Sequence, residues 1–219
     1  MFPIPFRPGF LGRACAALLV AGLSSACGDD LQPQPGPEEE EDPVVHPEDS
    51  ANLKHQDNGD GSFTSVINAT EPALWVGLDL DTGKEVSATE DAAWDLAFQR
   101  FVVKSRGGVS GTGGVQVALL TDTSFAALTQ APSTGWSTDA ADGDDTDTTP
   151  DTVFNTAGGW YLYDLKFHTL TPRAQLYVVR SDQGAYFKVE LLSYYDDAGS
   201  PANLKLRWAK VAAPAGGQP

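Results

Sequence analysis

Chemistry in this chain has few places to happen. Histidines number three and cysteines two. Only His168 is set among aromatics, in WYLYDLKFHTLTP, with Trp160, Tyr161, Tyr163 and Phe167 beside it. A neutral imidazole at an apolar, aromatic-lined slot is the ordinary equipment for binding a haem iron. An exposed or hydrogen-bonded loop histidine is the competing reading of the same residues. The run DAADGDDTDTTPD supplies a second chemistry. Asp139, Asp142, Asp144, Asp145, Asp147 and Asp151 crowd one loop, and hard cations such as calcium want several oxygen ligands close together. The EF-hand spacing is not met there, nor in DNGDGS at Asp57, so a solvated acidic loop stands beside the calcium reading.

Catalytic constellations are scarcer still. The chain has no G-x-S-x-G elbow and no H-E-x-x-H cluster, which removes the commonest serine and zinc hydrolases. A glycosidase built on paired carboxylates stays open on composition alone, as the weakest of the readings. The glycine stretch Gly107 to Gly114 is not a nucleotide cradle. A phosphate loop must open a helix, whereas Val115, Val117 and Leu119 alternate as in a strand. It reads as an extended connection between two strands, with Lys104 and Arg106 available beside it for an acidic group of a ligand. The expectation is a protein that is not an enzyme.

The elements that must position these residues are strands. In ALWVGLDLDTGKEV, Leu74, Val76, Leu78 and Leu80 alternate with Trp75, Gly77 and Asp79, and Asp81-Thr82-Gly83 closes a hairpin. Leu176–Arg180, a turn through Asp182 and Gly184, and Tyr186–Tyr194 repeat the design. Leu204, Leu206 and Trp208 alternate with Lys205 and Arg207 in a closing strand. Trp94, Leu96 and Phe98 are expected in the core. TSFAALTQA alone looks helical, with Thr123 or Ser124 as N-cap and room for about two turns. The expected fold is all-β, an antiparallel sheet or sandwich with at most a short helix.

The N-terminus supplies an address. Arg7 and Arg13 precede a short apolar core from Cys15 to Leu23, too short to span a bilayer at the ~20 residues that requires. LSSACGDD follows, and its Ser24, Ser25, Ala26 and Cys27 resemble a bacterial lipobox. That resemblance implies cleavage before Cys27 and acylation of its thiol and new amino group; two or more acyl chains anchor stably where one would not. A plain secretory signal is the alternative. Gly28 after the cysteine favours the outer membrane, on the periplasmic side or the cell surface. The expected organisation is residues 1–26 as signal, 27–50 as a lipidated Pro/Glu-rich tether, 51–212 as one β domain, and 213–219 as a tail. Losing Arg7 and Arg13 takes the formal charge from −16 to −18. So acidic a surface disfavours nucleic acid. With Cys15 removed and Cys27 lipidated, no thiol is left for a disulfide or a metal.

Two segments, WDLAFQRFVVKSRGGVSGTGGV and GGW…LYVVRSDQGAYFKVELLSYYDDAG, resemble the HmuY family of bacterial outer-membrane lipoproteins. The likeness extends to the lipobox and the TEPALWVGLDLDTGKEV hairpin, and spans most of residues 62 to 209. It implies an all-β HmuY-like fold and a haemophore role. Such a protein takes haem from host or environmental carriers and passes it to a TonB-dependent outer-membrane receptor. The family pattern also implies two axial histidines, one of them a few residues after the G-G-W. Here that stretch reaches Asp164 and Leu165, with His168 later, and no histidine lies between the glycine loop and Gly158. Methionine occurs only as Met1. Haem ligation then rests on His168 with His55, on His168 alone, or on a tyrosine such as Tyr161 or Tyr163. The alternative is a surface lipoprotein without haem, serving adhesion, envelope interaction or cation binding through Asp142, Asp144, Asp145 and Asp147.

Overall fold

The computed structural model describes residues 45–89, 92–143, 151–156 and 158–216. Thirteen strands run through this part: β1 (Leu53–Asp57), β2 (Phe63–Asn68), β3 (Val76–Asp79), β4 (Lys84–Ser87), β5 (Leu96–Gln99), β6 (Val102–Ser105), β7 (Gln116–Leu120), β8 (Trp136–Ser137), β9 (Tyr161–Asp164), β10 (Thr169–Pro172), β11 (Leu176–Arg180), β12 (Tyr186–Tyr195) and β13 (Pro201–Val211). They form a seven-stranded sheet in the order β1-β2-β13-β12-β11-β7-β8, a four-stranded sheet in the order β4-β3-β5-β6, and the separate hairpin β9–β10. Every strand pairing is antiparallel.

Side-chain alternation decides which faces meet. Leu204, Leu206 and Trp208 of β13, Val189 and Leu191 of β12, and Tyr177 and Val179 of β11 enter one core. Val76 and Leu78 of β3 and Leu96 and Phe98 of β5 enter it from the four-stranded sheet. Trp94 is buried at the same place as β5 begins, so its expected core position, and those of Leu96 and Phe98, hold. Leu74 departs from the expected alternation and stays exposed, because β3 begins only at Val76.

The opposite face of the large sheet carries Ala118, Val178, Tyr186 and Val211 and is covered by Leu128, Ala131 and Trp136. This covering segment holds the expected helix, which does not form. Ala127 and Leu128 both donate to Ser124 O, at 3.1 and 3.3 Å, and the pattern ends after that single turn. Phe125 and Leu128 are drawn onto the sheet, and Lys188 Nζ takes the carbonyls of Phe125 and Leu128, both at 2.8 Å. A helix nucleus repays its entropy only if it propagates, and tertiary partners have claimed these carbonyls.

The glycine stretch carries the chain from β6 to β7, from one sheet to the other, through a short 3-10 turn at Gly108–Ser110. A Cβ at Gly107 would lie 2.0 Å from Val115 O, and one at Gly108 would lie 1.9 Å from Asp139 O. Backbone meets backbone here, which is why glycine is needed. Ahead of β1, Val45 packs against the core, and Ser50 and Asn52 both bond Glu85 on β4. Residues 45–50 thus lie along the four-stranded sheet.

Candidate functional site

The β9–β10 hairpin stands at the end of β12. Tyr161 and Tyr163 share one of its faces with Leu170 and Pro172, their partners across the pair. Leu170 N donates to Tyr195 Oη at 3.0 Å, and Leu170 packs against the core. Residues Leu165–His168 form the turn, tied by Asp164 Oδ1, which accepts from Lys166 N and Phe167 N at 2.8 and 3.0 Å. Leu165 and Phe167 are 80% and 66% exposed at its tip. Side chains that apolar are seldom left so open without a use.

Between the hairpin and the segment before it lies a cavity of about 300 Å³, lined by Asn155, Gly158, Gly159, Tyr161, Tyr163 and Arg173. Arg173 Nε donates to Gly158 O at 3.2 Å and Tyr161 O at 3.1 Å, which fixes the guanidinium on the cavity wall. Behind the cavity the aromatic rings continue inward. Tyr161 meets Phe101 and Trp160 edge-on, with centroids 5.9 and 5.0 Å away, and Tyr194 touches both Phe101 and Trp160 at 6.5 Å. Trp160 Nε1 donates to Phe101 O at 2.9 Å, so the buried indole has its partner. Burial raises the hydroxyl pKa of Tyr161 and of Tyr194, keeping both as neutral phenols.

Tyr163 and His168 come together here. Tyr163 Oη lies 2.6 Å from His168 Nδ1, across the turn. His168 has φ 53°, the left-handed region that a side chain adopts at some cost. That backbone turns the ring onto Tyr163. His55 is elsewhere. It sits on the outermost strand β1, with Nδ1 2.7 Å from Ser65 Oγ, which in turn accepts Trp208 Nε1 at 2.8 Å. Burial lowers its pKa, so the ring stays neutral. β2 and β13 separate β1 from β12, where the hairpin meets the sheet; three strand spacings of ~4.8 Å set strand β1 about 14 Å from strand β12. The two histidines are not assembled into one bis-histidine site.

Phe101, Tyr194 and Tyr195 belong to this site without having been singled out in the sequence. The β5–β6 turn presents Phe101, with Arg100 at φ 52° and its guanidinium bonded to Thr70 O. Neighbouring Tyr194 and Tyr195 both pack toward the core because the β12–β13 register shifts at Ser193 and Tyr195. A bulge re-aims side chains that alternation would send to opposite faces. The signal was the adjacent pair of tyrosines in LLSYYDD, which breaks period two.

The acidic loop divides. Asp144, Asp145 and Asp147 lie outside the described residues, as does Cys27, and Asp142 is exposed. Asp139 is buried and does structural work. Its carboxylate accepts from Ser105 N at 2.9 Å, Ser105 Oγ at 3.1 Å and Val153 N at 3.0 Å. Those oxygens serve the fold and are not held out for calcium. A different carboxylate group, Asp79, Asp81 and Asp95, brings ligand-type oxygens within 4.8 Å of one another. It too is used internally: Asp95 accepts from Leu80 N and Asp182 N, and Asp79 caps the turn at Asp81 and Thr82. Burial, the largest cause, pushes the Asp95 carboxyl up to about 8, against the pull of those amides. Lys104 and Arg106 are also engaged. Lys104 Nζ lies over the Trp75 ring at 4.2 Å, and Arg106 pairs with Asp182 at 3.1 Å.

The family model described as HmuY protein matches residues 72–208. No curated protein matches in sequence. Three solved structures share the fold. A Bacteroides fragilis protein named as a lipoprotein is 19% identical, with TM-score 0.55, over 78% of this chain and 100% of that one. A Bacteroides vulgatus protein named as HmuY-like and heme-binding is 22% identical, with TM-score 0.54, over 73% of this chain and 97% of its own. The apo HmuY analog of Tannerella forsythia is 12% identical, with TM-score 0.53, over 74% and 97%.

Proposed function

Because the chain belongs to the HmuY family, we propose that it is a non-enzymatic, lipid-anchored surface protein that captures haem at the β9–β10 hairpin. One observation carries the reading. Tyr163, paired at short range with His168, lines a cavity walled by a second tyrosine and an immobilised arginine. An apolar macrocycle with an electrophilic iron and two carboxylates asks for those three things: aromatic walls, a ligand atom and a cationic anchor. The Bacteroides vulgatus relative, named as heme-binding, supports the same ligand.

In this reading Arg173 receives a propionate, and the exposed Leu165 and Phe167 cover the macrocycle or meet the next protein in the hand-over. In this proposal an acylated Cys27, in its lipobox-like setting, anchors the chain at the outer membrane beside a TonB-dependent receptor, a reading that membership of the family supports. No helix among the described residues is long and apolar enough to cross a membrane; the anchor in this proposal is acyl. The test is titration of the chain with ferric haem while following the Soret band. A saturable one-to-one shift, weakened in Arg173→Ala, is expected. A Soret band that never departs from free haem would overturn the proposal and leave the hairpin to adhesion or envelope contact.

A further inference from the structure

We propose that the residue bonding the haem iron is Tyr163, with His168 as the base that receives its phenolic proton; this rests on the reading that the cavity takes haem. The two side chains do not offer themselves equally. Tyr163 lines the cavity and His168 does not. His168 Nδ1 is already committed to Tyr163 Oη at 2.6 Å, and its left-handed backbone directs the ring onto the phenol. Strained conformations of this kind persist where the side chain's direction matters. The other cavity tyrosine, Tyr161, is held as a wall by Phe101 and Trp160.

A neutral phenol is a poor ligand; a phenolate is a strong one and is an established axial ligand of haem iron. The step balances within the pair. The Tyr163 O–H bond breaks, the proton passes to His168 Nδ1, and the oxygen's lone pair forms the Fe–O bond. The iron stays ferric throughout, and the phenolate and imidazolium charges cancel.

Selectivity follows from the donor. A hard, anionic oxygen prefers the more highly charged iron, so this site takes ferric haem and loses its hold when the iron is reduced. A base positioned behind a ligand and orienting it contributes ~10- to 100-fold in affinity in other metal sites. His168 is such a positioning residue.

The experiment compares the full-length chain with Tyr163→Phe and His168→Ala, each titrated with ferric haem and then reduced with dithionite. Absorption and resonance Raman spectra read the ligand. The expected result is a phenolate-to-iron charge-transfer band and a tyrosinate vibration in the wild type, both absent in Tyr163→Phe. In His168→Ala the tyrosinate signature persists with affinity lowered ~10-fold. Reduction abolishes the band and releases haem. Tyr163 is largely exposed and His168 lies in the hairpin turn, so circular dichroism of both variants should match the wild type. A wild-type spectrum retained by Tyr163→Phe and lost in His168→Ala would overturn the assignment in favour of histidine. Ferrous haem held as tightly as ferric would overturn it as well. A wild type with no saturable Soret shift sinks the haem reading itself, and this assignment with it.

Discussion

His168 occupies a backbone conformation that glycine would adopt freely, and this separates its structural cost from its use. In His168→Gly, relief of left-handed strain, ~1 kcal/mol or more, opposes the added freedom of the unfolded chain, ~0.4–1 kcal/mol. The urea midpoint is therefore expected to stay within ~0.5 kcal/mol of wild type while haem affinity falls. A clear destabilisation would mean that the imidazole supports the fold. Asp139 behaves in the opposite way. Its carboxylate satisfies two amides and a hydroxyl in the interior, and orphaned buried donors cost ~1–3 kcal/mol each. Asp139→Ala is expected to lose ~3 kcal/mol or more in urea unfolding, and a loss below ~1 kcal/mol would show that water replaces the carboxylate. Neither role was legible in the sequence. The run around Asp139 looks uniformly hydrophilic, and it is the fold that buries Asp139.

Among the elements, the glycine connection and the β9–β10 hairpin make different demands on their residues. Gly108 combines φ +62° with a Cβ position 1.9 Å from Asp139 O. Strain and overlap add, so Gly108→Ala is expected to cost at least ~2 kcal/mol; a thermal midpoint equal to wild type would show that the loop can move aside. One bond from the hairpin into the sheet runs from Leu170 N to Tyr195 Oη. Tyr195→Phe should cost ~1 kcal/mol and speed amide exchange at Leu170. Unchanged exchange there would show that packing alone seats the hairpin. The strands themselves were legible, because Leu204, Leu206 and Trp208 or Val76 and Leu78 repeat at period two. TSFAALTQA failed as a helix because its carbonyls found Lys188 on β12 and its apolar residues found Leu176 on β11 and Ala209 on β13, which local pattern does not contain.

For the molecule as a whole, Asp95 links stability to pH. It is fully buried between the two sheets' turns, with its carboxyl raised to about 8, against ~3.9 in an unfolded chain. Between those values the native state holds a proton that the unfolded state has lost. Stability therefore falls as pH rises through this window, by up to ~1.4 kcal/mol per unit, and levels above pH ~8. His55, shifted downward by burial, acts in the opposite sense below its unfolded value of ~6.5. The comparison is cleanest at pH 6.5 against 8.5. The urea midpoint should be lower at 8.5, and Asp95→Asn, uncharged throughout, should lose most of that difference. Equal midpoints in the wild type would place an ionised Asp95 in the core.

Class and kinship were written along the chain: period-two strands, hairpin turns at Gly83 and Gly184, and the ordered segments that identify the HmuY family. Those are local properties, carried by neighbours along the chain. The candidate site is not local. Phe101 from one sheet, Tyr194 and Tyr195 from another, and Tyr161, Tyr163 and Arg173 from the hairpin meet only after folding. Tertiary structure also set the two histidines in different surroundings. Register placed His55 on an outer strand beside Ser65, and a positive φ laid His168 on Tyr163. Aromatic composition is visible along the chain; which rings meet depends on strand register and turns that bring distant residues together.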